Sequence, residues 1–209
     1  MTISDLLTDF RVAIGDEGEV VAREAAIGAV DGVNTVFTLD APPVKSGSET
    51  VWVGSTVTAA YSLDLTTGVL TMDAAPADVV YVTYDSLDYS DSMLERHLIN
   101  AYRSLMATDA KEFVDDWALT GTTFGTDLDD DDKALLFAQG WVKVLQADLT
   151  KAQRSGVRIT ASIGLDSSGQ PRTIQETLNI ARDQLKEAIR AMCMDRLEGY
   201  RVPVGLERN

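Results

Sequence analysis

Cysteine and histidine are almost missing from this 209-residue sequence. Cys193 is its only cysteine and His97 its only histidine, which excludes an intrachain disulfide, a four-cysteine zinc site and a His-rich metal site. We therefore expect neither a metal nor a cofactor. Long apolar runs are missing too: none approaches the roughly 18 residues of a membrane span, and the start, MTISDLLTDF, lacks the basic and apolar regions of a signal peptide. We expect no membrane contact and synthesis in a cytosol.

Basic residues are scarce and unevenly placed. Eighteen Lys and Arg stand against 33 Asp and Glu, a formal charge of −15. This balance argues against a protein that holds a nucleic-acid backbone or an anionic membrane by bulk attraction. Residues 1–90 carry three basic residues against 14 acidic ones, whereas residues 133–209 carry 12 against eight. The C-terminal third is therefore the part suited to an acidic partner.

The sequence also lacks the common catalytic patterns. GxSxG, GxxxxGK[ST] and GxGxxG do not occur. Asp115 and Asp116 are neighbours on a predicted helix, so their side chains point about 100° apart and would not share a substrate. His97 is interpreted as a surface or interface residue rather than a general base. We expect no enzyme.

Hydrophobic periodicity divides the chain into three parts. A spacing of three and four predicts a helix over residues 3–14, and strand-like alternation with turn residues follows from about residue 27 to residue 85. Helical spacing then returns, and the best-marked helix begins at a capping box of Thr173 and Glu176. Thr120 to Gly125 is predicted as a loop.

The sequence therefore predicts an α+β protein. Its expected architecture is a helical bundle, made of the N-terminal helix and three or four C-terminal helices, with an inserted small antiparallel β-sandwich or β-barrel. The predicted domains are a discontinuous helical domain over 1–26 and 86–199, a β domain over 27–85, and an extended tail over 200–209.

An acidic run precedes the third predicted helix of the C-terminal part. It consists of Asp127, Asp129, Asp130, Asp131 and Asp132. An EF-hand reading fails because the loop lacks the glycine and the bidentate glutamate that calcium coordination needs. We interpret the run as the cap and the charged first turn of the helix, where the macrodipole favours anions.

The tryptophan and tyrosine residues of the β segment are Trp52, Tyr61, Tyr81 and Tyr84. Such residues can form a platform for a sugar ring. They lie on predicted strands whose inward faces need large side chains, so we expect them to pack in the core.

The β segment carries a recognisable pattern. Its strings are DGVNTVFTLDAPPV (31–44), ETVWVGSTVT (49–58), YSLDLTTGVLTMDAAPA (61–77) and VVYVTYD (79–85). Together they resemble a small β module that recurs in structural proteins of tailed bacteriophages, with a turn at Asp31-Gly32 and a hairpin closed by Gly68. The helices on either side resemble, in architecture only, the head-to-tail adaptor or connector family.

This resemblance implies a non-enzymatic protein of the virion neck, assembled in the host cytoplasm. The family implies a ring, twelve-fold, with the portal protein on one side, a stopper or tail-completion protein on the other, and viral DNA passing through without specific binding. The acidic run would then line the lumen or an outer surface. The C-terminal tail would reach the portal through Tyr200, Arg201, Val202, Pro203 and Val204. The alternative is a tail or baseplate protein whose β domain binds a host-surface saccharide.

Overall fold

The computed structural model describes residues 1–107, 111–154 and 173–199, and these form an α+β structure. The predicted tail, residues 200–209, lies outside the described part. The helices are α1 (Ile3–Ile14), α2 (Asp91–Met106), α3 (Lys111–Val114), α4 (Asp130–Arg154) and α5 (Ile174–Gly199), with a 3₁₀ turn over Asp115–Trp117. The strands are β1 (Glu19–Ala25), β2 (Val36–Thr38), β3 (Thr50–Val53), β4 (Thr56–Thr58), β5 (Tyr61–Asp64), β6 (Val69–Met72) and β7 (Val80–Ser86).

The chain divides into two compact units. Residues 7–94, here called the β unit, contain all seven described strands. Residues 1–6 and the described residues from Glu95 onward form the helical unit. The division falls inside α1 and inside α2, so two continuous helices carry the chain across it.

The strands form two antiparallel sheets and not a closed barrel. One sheet has the order β1-β7-β3-β4 and the other the order β2-β6-β5. The barrel form of the prediction is therefore wrong, because consecutive strands β4 and β5 lie at the edges of different sheets and do not pair. One apolar core draws buried residues from both sheets, among them Phe37, Leu70, Met72, Val51, Val82 and Tyr84.

Strand β1 begins before the point at which the sequence pattern predicts strands. It pairs with β7, but its register shifts between Val21 and Glu24. A bulge of this kind adds residues to one strand and breaks the alternation of buried and exposed side chains. No period of two is therefore visible in its sequence, which explains why the pattern predicts strands only from residue 27.

The helices follow the sequence pattern closely. Helix α1 covers residues 3–14 as predicted, and α4 begins inside the acidic run. The capping box of α5 is confirmed: the backbone N–H of Glu176 donates to Thr173 Oγ1 at 3.2 Å, and the backbone N–H of Thr173 donates to Glu176 Oε2 at 2.9 Å. Helices α4 and α5 pack on each other through an apolar cluster of Val142, Leu145, Ile174, Leu178 and Ala181.

Candidate functional site

The acidic run caps helix α4, as predicted. Asp129 directly precedes the helix, and its Oδ1 accepts the backbone N–H of Asp132 at 2.8 Å. Asp127 lies two residues before Asp129, and its carboxylate is 3.2 Å from the amino group of Met1. Carboxylates in this position satisfy N–H groups that have no partner within the helix and interact favourably with its dipole.

Most carboxylates of the run face solvent. Asp130 and Asp131 are exposed, and Asp130 lies 3.5 Å from the ammonium group of Lys133. Asp132 is half-buried, and burial together with the charge of Asp129 raises its pKa. Within the described residues no group of three or more His, Cys, Asp or Glu side chains is arranged to hold a metal ion. The run is therefore a helix cap that also concentrates negative charge at one helix end.

Two further predictions concern the C-terminal tail and His97. Tyr200 to Val204, the predicted portal-docking tail, lie outside the described residues. His97 lies on α2 and is half-buried, and burial lowers its pKa.

A buried arginine connects α1 with the segment that precedes α2. Arg11, on α1, is 8% exposed and pairs with Asp16, which is 4% exposed. The second guanidinium nitrogen donates to the backbone carbonyl of Tyr89 at 2.8 Å and to Asp91 Oδ1 at 2.6 Å. One side chain thus joins the end of α1 to the segment that leads into α2.

Asp16 completes this link from the other side. Its Oδ1 accepts the backbone N–H of Asp88 at 2.8 Å. Burial raises the pKa of Asp16, and the hydrogen bond from Asp88 and the charge of Arg11 oppose that effect. A cavity of about 230 Å³ lies beside it, lined by residues 15–19 with Ser86 and Asp88. Because its titratable lining is entirely acidic, the cavity is unsuited to an anionic ligand.

Two side chains fix the predicted turn at Asp31-Gly32. Asp31 Oδ1 accepts the backbone N–H groups of Val33 and Asn34, at 2.9 and 2.7 Å. The Asn34 side chain then donates to Ala29 O at 3.1 Å and to Val36 O at 2.9 Å. The hydrogen bonds from Asn34 and Val33 lower the pKa of Asp31. The predicted turn at this place is confirmed, and its sequence is explained by local hydrogen bonding.

The hairpin of the module is built in the same way. Asp64 Oδ1 accepts the backbone N–H groups of Thr66 and Thr67, at 2.9 and 3.2 Å. Gly68 has a φ of 68°, a conformation that suits glycine, and its N–H donates to Asp64 O at 2.8 Å. Strands β5 and β6 pair on either side of it, from Tyr61 to Asp64. The predicted hairpin is confirmed.

The aromatic residues of the β unit divide between two environments. Tyr84 is fully buried, as predicted, and its hydroxyl donates to Glu24 Oε2 at 2.6 Å and accepts from the backbone N–H of Ala41 at 3.3 Å. Burial and the hydrogen bond to Glu24 raise the pKa of Tyr84 to about 12. Tyr61 is half-buried and packs against the core.

For Trp52 and Tyr81 the prediction of core packing is wrong. The two residues pair across β3 and β7, in register with Val57 on β4. Paired residues share a face of the sheet, and the alternate residues of the same strands, such as Val51 and Val82, are the fully buried ones. Trp52 and Tyr81 therefore lie on the outer face, where they are half-buried.

The sequence pattern gave no indication of Arg23. This residue lies in the bulge of β1, and its guanidinium carbon is 5.9 Å from the ring centre of Trp52 and 5.2 Å from that of Tyr81. The one feature of the sequence that sets Arg23 apart is the scarcity of basic residues, since it is one of only three in the first 90. Alternation of side chains cannot reveal a contact across three strands.

Comparisons with known proteins do not assign the chain to a family. No protein-family model matches it, and no curated protein matches it. None of the helices in the described part combines the length and the apolar character that crossing a membrane requires.

Proposed function

We propose that this chain is a non-enzymatic structural protein of a tailed-bacteriophage virion, a head-to-tail adaptor that joins the capsid to the tail. The observation that carries the proposal is the phage-like module of residues 31–85, placed in the chain between α1 and α2. Its characteristic residues Asp31, Asn34 and Asp64 each have a definite part in a turn. These residues therefore determine the local backbone of the segment in which the resemblance lies.

We further propose that the helical unit is a bundle and that the two sheets of the β unit pack as a sandwich. The joint apolar core of both sheets and the packing of α4 on α5 support this arrangement. The buried pair of Arg11 and Asp16 holds the end of α1 in place within the β unit.

The proposed assembly is a ring, a dodecamer by analogy with the family, beneath the portal. A stopper or tail-completion protein binds its other side, and the particle is assembled in the host cytoplasm. A ring multiplies the charge of −15 by its copy number, so a channel lined with carboxylates such as Asp127, Asp130 and Asp131 would repel DNA and let it slide. Exposure of these groups supports a role at the lumen or at an outer surface.

Attachment to the portal is assigned to the tail, residues 200–204. The C-terminal third is the basic part of the chain, and Pro203 cannot continue a helix, so the segment suits extended docking on an acidic surface. The test is co-sedimentation of the purified chain with the portal protein of the same virion. Replacement of residues 200–204 by a Gly-Ser segment of equal length should abolish co-sedimentation and leave the circular dichroism spectrum unchanged.

A matched control is deletion of residues 205–209, which should leave most of the binding. Unchanged co-sedimentation of the Gly-Ser variant would reject the tail as the docking element. Absence of any portal binding by the unaltered chain would reject the adaptor role itself. The alternative, a tail or baseplate protein that binds host saccharide, predicts instead binding on a glycan array that is lost with Trp52→Ala.

A further inference from the structure

Arg23 is the basic residue of the first 90 that has no acidic partner. Arg11 is buried against Asp16, and the ammonium group of Lys45 lies 3.9 Å from Asp85. Arg23 is exposed, and within the described part of the chain no carboxylate lies within ion-pair distance of it. An unpaired cation is unusual in a segment that holds 14 acidic residues.

The backbone of Arg23 is held in an unfavourable conformation. Its φ is 52°, a left-handed value that costs energy for any residue with a side chain. The backbone N–H donates to Thr83 Oγ1 at 2.9 Å, which fixes the bulge against β7. Glycine would adopt this conformation more readily. The arginine side chain therefore occupies a position where backbone preference alone would select a different residue.

The guanidinium of Arg23 lies over two rings on the outer face of the four-stranded sheet. The guanidinium covers Tyr81 and Trp52, and Nη2 donates to the carbonyl of Gly54 at 3.3 Å. Val57 continues the row on the edge strand β4 and is 61% exposed. Arg23, Tyr81, Trp52 and Val57 together form what is called here the Arg23 surface.

The chemistry of the Arg23 surface selects its partner. A guanidinium has five N–H donors, and one is used on Gly54, so an edge is open for a carboxylate with two parallel hydrogen bonds. Arginine, tryptophan and tyrosine are the residue types that contribute most to protein–protein binding energy. Val57 adds an apolar contact beside the cation.

Two other ligand classes fit less well. A sugar ring stacks on a bare aromatic face, and here the guanidinium already covers both rings. A polyanion such as a nucleic acid or a highly sulfated glycan would be repelled by the acidic residues of the same unit, because such ligands depend on long-range attraction. A single carboxylate flanked by an apolar group avoids both problems, since its binding is local.

We propose that the Arg23 surface is a docking site for a segment of a partner protein that presents an Asp or Glu side chain next to an apolar residue. The carboxylate pairs with the guanidinium of Arg23, and the apolar neighbour packs on Val57 and the edge of Trp52. The inference does not depend on the adaptor role, because it rests on the geometry of the β unit alone.

The test is selection of binders to the purified full chain from a displayed library of random heptapeptides. Selected sequences should be enriched in Asp or Glu beside an apolar residue. A synthetic peptide from the selection should bind about tenfold more weakly when its acidic residue is replaced by the amide. The same loss should follow from Arg23→Gln, whereas Lys45→Gln, which removes one exposed positive charge from the same unit, should leave the affinity unchanged.

Arg23→Gly separates the binding role from a structural one. Glycine suits the φ of 52°, so this variant should fold and keep its stability while it loses the peptide. Selection without acidic enrichment, or equal losses in Arg23→Gln and Lys45→Gln, would overturn the proposal. Capture of acidic saccharides on a glycan array by the unaltered chain but not by Arg23→Gly, with no peptide selected, would assign the surface to glycans and overturn it as well.

Discussion

Arg11, in the last turns of α1, and Asp16, in the segment between α1 and β1, form a buried ion pair. The same guanidinium reaches Asp91, and the same carboxylate accepts the N–H of Asp88, so outgoing and returning segments are joined by one network. A buried pair of this kind stabilises little relative to apolar residues, but loss of one partner leaves an uncompensated charge. Its main effect here is to hold together chain segments that are distant in sequence within the β unit.

Arg11→Met should therefore destabilise the protein by about 3–5 kcal/mol at neutral pH, because Asp16 would stay buried without its cation. Urea denaturation measures the loss. Lys45→Met is the control: its partner is 3.9 Å away and the ammonium group is half-exposed, so the change should stay within about 1 kcal/mol.

The Arg11→Met defect should also depend on pH. Burial raises the pKa of Asp16 in the fold above its unfolded value, so the fold favours the protonated carboxyl. The protonated carboxyl of Asp16 therefore contributes its full stabilisation below the unfolded pKa, and this contribution is lost as pH rises through the folded pKa. Without Arg11, the ionised carboxylate of Asp16 destabilises the folded state more strongly than in the parent. The difference between variant and parent should shrink as pH falls toward 4, and a constant difference would contradict the assigned cause.

Asp31→Ala should destabilise the β unit by releasing the backbone N–H groups of Val33 and Asn34. Asp31→Asn is the matched variant, since its amide oxygen still accepts both hydrogen bonds. The pKa of Asp31 is lowered in the fold. The ionised carboxylate therefore stabilises the fold above the unfolded pKa, and this stabilisation is lost as pH falls through the folded pKa. In thermal unfolding, the melting temperature of Asp31→Asn should lie between those of the parent and Asp31→Ala at pH 7. Near pH 2 it should equal that of the parent. Equal melting of all three proteins at pH 7 would exclude a role for this turn.

The raised pKa of Tyr84 predicts that the free energy of unfolding falls at alkaline pH. Its pKa in the fold is about 12 against 10.0 for an unperturbed tyrosine. A tyrosine whose pKa is raised contributes stability below the unfolded pKa, and that contribution disappears as pH rises through the folded value. Tyr84→Phe should therefore reduce the fall in unfolding free energy between pH 10 and pH 12. Tyr81→Phe, on the outer face, should keep the full fall, and a Tyr84→Phe profile identical to the parent's would refute the prediction.

Thr173→Ala should cost about 1 kcal/mol through loss of the α5 capping box. Thr173→Ser keeps the hydroxyl that accepts the N–H of Glu176 and should cost less than half as much. Urea denaturation followed by far-ultraviolet circular dichroism measures both. If serine were as damaging as alanine, the hydroxyl would not be the stabilising group.

Features determined by neighbouring residues could be predicted from the sequence. The cap at Thr173, the turn at Asp31-Gly32 and the acidic start of α4 depend on side chains that bond their own backbone within three or four residues. Such contacts recur wherever the residue types recur. They supply both the element boundaries and the phage-like pattern on which the proposed function rests.

Features that join distant segments could not be predicted. Arg11 pairs with Asp91 across 80 positions, and Arg23 lies over Trp52 and Tyr81 on two other strands. The bulge in β1 hides the alternation of that strand and also places Arg23 on the outer face. The face occupied by Trp52 depends on register, and a shift of one residue would exchange it with Val51.

The central claim, a ring beneath the portal, is tested most directly by electron cryomicroscopy of the virion neck with this chain traced into the density. The adaptor account predicts a closed ring of copies between portal and stopper, with residues 200–204 in contact with the portal and DNA or an open channel at the axis. Density for this chain at the tail tip or baseplate, or its absence from the neck, would contradict the account.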